Sequence, residues 1–116
     1  MGLTIQEVFD QVEDYLQPKL ASMDVTVDIE RFMGTMYFRD EEGAPKIILL
    51  GYIQNWCCSF PGITSEQRKK VREKNFRLTR EMGVYFWDIR GPGDLTLEEV
   101  ERLKGRLLTL IKILFT

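Results

Sequence analysis

Apolar residues recur along this chain with two different periods, and the points where the period changes mark its elements. Ile5, Val8, Phe9, Val12, Tyr15 and Leu16 fall at i, i+3, i+4 and i+7, the spacing of one helix face. Thr4 with Glu7 three residues on is a capping box, in which hydroxyl and carboxylate each take a free amide of the first turn. Pro18 is expected to limit this helix, and Glu7, Asp10, Glu13 and Asp14 gather on its outer side. The period then shortens to two. Val25, Val27 and Ile29 alternate with Thr26, Asp28 and Glu30, as in a half-buried strand. Residues 33–39 predict a second strand, with Arg31-Phe32-Met33-Gly34 holding the turn between them, and residues 40–45 read as a turn by composition.

A long apolar run over residues 47–60 places leucines, Tyr52, Ile53, Trp56, Cys57 and Cys58 on both strand faces. It predicts one central strand covered on two sides, with Gly51 as a bulge or break. Pro61-Gly62 ends it. Thr64 with Gln67, or Ser65 alone, caps a helix predicted over residues 65–82, and Gly83 is its left-handed terminator. Residues 84–89 predict a strand and Gly91-Pro92-Gly93-Asp94 a turn. Thr96 with Glu99 repeats the capping box before a last helix from Leu97 to about Phe115, whose Val100, Leu103, Leu107, Leu108, Leu110, Ile111 and Leu114 make a wide stripe. The order α-β-β-β-α-β-α predicts a single α+β domain over residues 1–116, a mostly antiparallel sheet packed by helices. No internal repeat, low-complexity tract or linker is read in it.

Composition narrows the chemistry. The chain contains no histidine, which removes the commonest general base and metal ligand. Its only cysteines, Cys57 and Cys58, are adjacent; a ring between neighbours is strained, so two reduced thiols and an intracellular, cytoplasmic protein are expected. No apolar run reaches the length of a bilayer span, and the first residues lack the cationic and apolar regions of a secretion signal. No phosphate-cradling loop or catalytic triad is present. The order α-β-β-β-α-β is shared with a family of metal-dependent nucleases, and Asp40 suits that site's first carboxylate. The third strand, however, carries Lys46 and no acid, so that motif is absent. No catalytic residue, metal or cofactor is expected.

Charge singles out one stretch. Residues 65–82 hold seven of the 16 cations and three acids, which leaves this stretch at +4 and the rest of the chain at −6. On a helical wheel at about 100° per residue, Val71, Leu78 and Met82 form the buried stripe and Phe76 falls opposite, among Lys69, Arg72 and Arg80. A solvated face supported by the i,i+4 pairs Glu66–Lys70, Glu73–Arg77 and Arg77–Glu81, or one lying beside the acidic first helix, is the plain reading. An exposed ring among cations also suits a protein hot spot, or single-stranded nucleic acid with a base stacked on Phe76. Ile113 and Phe115 carry apolar character to the end of the last helix, to dock on the domain's own sheet or on a second copy.

In element order the chain is similar to the small acidic dimeric chaperones of type III secretion, which run helix, three strands, helix, strand and helix. The likeness covers most of the length and carries no residue signature, and the family's usual additional strand before the last helix has no counterpart in the pattern. The combined expectation is a small non-catalytic intracellular protein-binding module, chaperone-, inhibitor- or adaptor-like and homodimeric. Lys69, Arg72, Phe76, Arg80, Ile113 and Phe115 are its expected partner-binding residues. The alternative is a nucleic-acid-binding accessory protein using the same helix.

Overall fold

All three helices lie on one face of a six-stranded antiparallel sheet in the computed structural model, which describes residues 2–51 and 55–116. The elements are α1 (Ile5–Ala21), β1 (Asp28–Phe32), β2 (Thr35–Arg39), β3 (Pro45–Leu50), β4 (Trp56–Phe60), α2 (Ser65–Glu73), β5 (Leu78–Glu81), β6 (Val84–Arg90) and α3 (Leu97–Leu114). The strands are ordered β1-β2-β3-β4-β6-β5, and every neighbouring pair is antiparallel. The α+β class and the order of elements hold, with two predicted elements each divided in two.

The first division falls in residues 47–60. They form β3 and β4, paired with Leu49 opposite Cys58, rather than one long strand. Gly51 ends β3, and a Cβ there would lie 2.5 Å from the Trp56 ring, so the close return of the chain requires glycine. Tyr52 and Ile53, assigned to that strand from sequence, lie outside the described residues.

The second division falls in residues 65–82. The capping box of Thr64 and Gln67 starts α2 as expected, but the helix ends at Glu73. Val71 is its one buried residue, and two residues past its end Asn75 takes the left-handed conformation (φ 66°), which Asn tolerates better than most. Beyond it β5 and β6 form a hairpin whose two-residue turn is Met82-Gly83, at φ 51° and 79°. Positive φ at both positions is the type I′ signature, whose twist matches that of the flanking strands. Gly83 is therefore a hairpin glycine and not a helix terminator. Met33-Gly34 joins β1 to β2 in the same way, at φ 48° and 78°. Arg31-Phe32-Met33-Gly34 and Arg80-Glu81-Met82-Gly83 thus form a short turn repeat, against the expectation of no internal repeat. The hairpin also supplies the additional strand before the last helix.

Two boundaries also move. α1 continues through Pro18 to Ala21, because Leu20 extends its buried face while Pro18 points to solvent. β1 starts at Asp28, and Val25 and Val27 pack against the core ahead of it.

Met36, Phe38, Ile47, Leu49, Trp56, Cys58 and Phe60 form the sheet side of the core, and Val8, Phe9, Val12 and Leu16 of α1 pack over it. α3 lies between α1 and α2 and adds Val100, Leu103, Leu107, Leu110, Ile111 and Leu114. No described helix covers the other face, which corrects the expectation of a strand covered on two sides.

Candidate interaction surface

The predicted surface on residues 65–82 divides around Phe76. Its ring is 2% exposed, which overturns the expectation of a free aromatic among cations. The reason is the helix end: past Asn75 the chain reverses, and the ring enters the core edge-on to Trp87, with centroids 4.8 Å apart. The Arg106 guanidinium of α3 covers it, 3.6 Å from its centroid, and is held there by the Lys74 and Asn75 carbonyls at 3.0 Å each. No ring at Phe76 is left for a base or a partner.

The cations remain outside. Lys69, Arg72 and Arg80 are exposed, and sequence reasoning missed what gathers the two arginines: Tyr85 on β6. Arg68, Arg80 and Arg72 stand 4.5, 5.5 and 6.0 Å from the Tyr85 centroid. Arg80 is the cross-strand neighbour of Tyr85, and α2 lies on that face of the sheet, so three guanidiniums from two elements share one phenol. Of the expected helix pairs only Glu66–Lys70 forms, at 3.9 Å, since Arg77 and Glu81 lie outside α2. Among the described residues none of Arg68, Lys69, Arg72, Arg77 and Arg80 makes an ion pair. The acids of α1 do not neutralise them either. Arg31 of β1 holds Asp10 at 2.9 Å and Glu13 at 2.7 Å, while α3 separates α1 from α2. Desolvation pulls the Arg31 pKa down, but its bonds to Glu13 and Asp10 outweigh that and hold it above the ordinary value.

Ile113 and Phe115 are half-buried and pack against this domain's own core, so much of their apolar surface is used within the chain.

A second apolar surface lies on the helix-free face, the face that no described helix covers. In register across the sheet, Tyr37, Ile48, Ser59 and Phe86 make one row, and Phe32, Thr35, Leu50 and Cys57 the next. Tyr37, Ile48, Leu50, Val84 and Phe86 are only half-buried and lie outside the core formed by the described residues, and Phe32 is 62% exposed. Glu30, Glu81 and Asp88 stand near the margins of these rows. The signal was in the sequence: Ile48 and Leu50 alternate with the buried Ile47 and Leu49, so one face of that run had to point away from the helices.

Several polar groups that could carry chemistry are instead engaged in the fold or held protonated. Asp40 accepts hydrogen bonds from the backbone amides of Glu42 and Ala44, both at 2.9 Å, and so closes the β2–β3 turn. Glu99 caps α3 and takes Arg90 Nε at 2.9 Å; its bond from Thr96 holds its carboxyl below the usual range. Burial, with Asp88 and Glu81 nearby, pushes the Cys57 thiol up to about 11, and burial beside Cys57 drives Cys58 well upward too. Both are protonated near neutral pH, the opposite of a nucleophilic cysteine. Among the described residues no three His, Cys, Asp or Glu side chains could hold a metal ion, and no helix is long and apolar enough to cross a membrane. No protein-family model, curated protein or solved structure matches the chain.

Proposed function

We propose that this protein is a non-catalytic protein-binding module that pairs with a second copy through the helix-free face of its sheet. One observation carries the reading: Tyr37, Ile48, Leu50, Val84 and Phe86 form an apolar surface with no helix over it among the described residues. An antiparallel sheet wetted on one side normally alternates apolar with polar residues, and this face departs from that pattern at its centre. Six strands about 4.8 Å apart and about five residues long offer roughly 500 Å² of footprint per copy, near the lower limit for a stable interface when doubled. Pairing of this kind leaves the cationic surface of Arg68, Lys69, Arg72 and Arg80 free for an acidic segment of a protein partner, with Tyr85 as its aromatic centre.

Size-exclusion chromatography with light scattering tests the pairing. The expected mass is twice that of one chain, and Ile48→Lys with Phe86→Lys yields a folded monomer, judged by an unchanged far-ultraviolet spectrum. A wild-type monomer up to the solubility limit defeats the reading.

The unpaired cations also favour a second reading, binding of single-stranded nucleic acid. With Phe76 buried, this reading rests on the charges and on the half-buried Tyr85 they surround. Titration with single-stranded DNA and RNA at low salt separates the two: binding that Arg72→Glu, Arg80→Glu abolishes supports the second, and no binding eliminates it.

A further inference from the structure

A cavity of about 460 Å³ opens between α3 and β6, on the opposite side of the sheet from the proposed pairing face. Its size is that of a small-molecule site, and its apolar lining comes from Trp87, Ile89 and Leu103. Four charged residues also line it, and they are not equivalent. Glu99 is bound to Arg90 and to the Thr96 amide, and Glu101 to Lys104 Nζ at 3.0 Å. Each carboxylate is therefore already paired with a cation of the fold. Arg102 and Arg106 have no carboxylate within 4.0 Å among the described residues.

Arg106 is the unusual one. Two carbonyls and two aromatic rings fix its guanidinium, which stands 3.6 Å from the Phe76 centroid and 5.2 Å from that of Trp87. Burial without an anion to offset it lowers its pKa, the mark of a cation whose water has been removed and not replaced by a counter-charge. A rigid guanidinium with unfilled donors, at one wall of an apolar cavity, is preorganised for a carboxylate.

We propose that the α3–β6 cavity binds a small amphiphilic carboxylate, with its aromatic or aliphatic body against Trp87, Ile89 and Leu103 and its anion on Arg106 and Arg102. This goes beyond the self-association reading and stands or falls separately from it, because the surfaces do not overlap.

Gly105 supplies a clean control. It lines the cavity, and a Cβ built there meets nothing within 4 Å, so Gly105→Leu fills the opening while favouring the helix. The probes are hydrocinnamate, its neutral amide and decanoate, followed by calorimetry and by NMR of the two tryptophan indoles. The carboxylates are expected to bind and to move the Trp87 signal while leaving that of Trp56, which packs on Phe9. The amide is expected to bind about ten- to a hundredfold more weakly, the loss of a charge-assisted contact. Gly105→Leu is expected to abolish binding with the fold intact, and Arg106→Met to remove the preference for acid over amide. The proposal is overturned if neither carboxylate binds, if amide and acid bind alike, if Gly105→Leu binds as wild type does, or if only an acidic peptide is captured.

Discussion

Phe76 illustrates how one backbone angle redirects a side chain. On an unbroken helix it stands among Lys69, Arg72 and Arg80; with Asn75 at φ 66° it lies against Trp87 instead. Phe76→Ala removes a buried ring from a site closed by Trp87 and Arg106, so it should destabilise the fold by about 3–5 kcal/mol. An exposed phenylalanine would cost less than about 0.5 kcal/mol, and the urea unfolding midpoint discriminates between these values. Cys57 makes a second prediction at this scale. Its folded thiol is pushed up to about 11 by burial and then by Asp88 and Glu81, whereas a free thiol titrates at about 8.5. A folded pKa raised above the unfolded value contributes stability that is complete below about 8.5 and is lost as pH rises through about 11. Unfolding midpoints should therefore fall over that window, and Cys57→Ser should fall less steeply. Iodoacetamide should alkylate the native protein slowly near neutrality and faster toward the upper end of the window.

At the scale of elements, the legible parts of the sequence were those with a local cause. Three capping boxes, at Thr4, Thr64 and Thr96, begin all three helices where the residues place them, because the box satisfies its amides within one turn. The end of α2 was not legible. Residues 74–82 are polar enough to continue a helix, and only pairing with β6, a contact across the hairpin, makes residues 78–81 a strand. The recurrence of Met-Gly at residues 33–34 and 82–83 was the available clue, since the first was read as a turn and the second was not. Methionine is a poor residue for the first position of a type I′ turn: a left-handed conformation costs a non-glycine residue roughly 1–2 kcal/mol, and Asn reduces that cost through its own local hydrogen bonding. Met82 is fully exposed and has no packing to lose. Met82→Asn should therefore stabilise the protein by about 0.5–1 kcal/mol, seen as a higher thermal midpoint. A helix through residue 82 would instead lose stability with this change, because Asn is a weaker helix former than Met.

For the whole molecule, the apolar run at residues 47–50 poses the decisive question. The two-sided hydrophobicity of residues 47–60 predicts cover on both faces, and within residues 47–50 the fold covers only Ile47 and Leu49. Ile48 and Leu50, with Phe86 and Tyr37 beside them in register, then require another explanation; the sequence could not supply it, since a surface shared between two chains has the same pattern as a core. Self-association has a thermodynamic consequence that mass measurement does not test. If only the folded chain pairs, each copy stabilises the other by mass action, and the thermal midpoint must rise with protein concentration. A folded monomer's midpoint is independent of concentration. The wild type should show an upward shift across a hundredfold range, while Ile48→Lys with Phe86→Lys should show none and should match the wild type at its lowest concentration. A concentration-independent midpoint in both proteins would leave the helix-free face as a solvated surface of a monomer. Equal shifts in both would place the association elsewhere, with the exposed cations around Tyr85 as the next surface to reverse in charge.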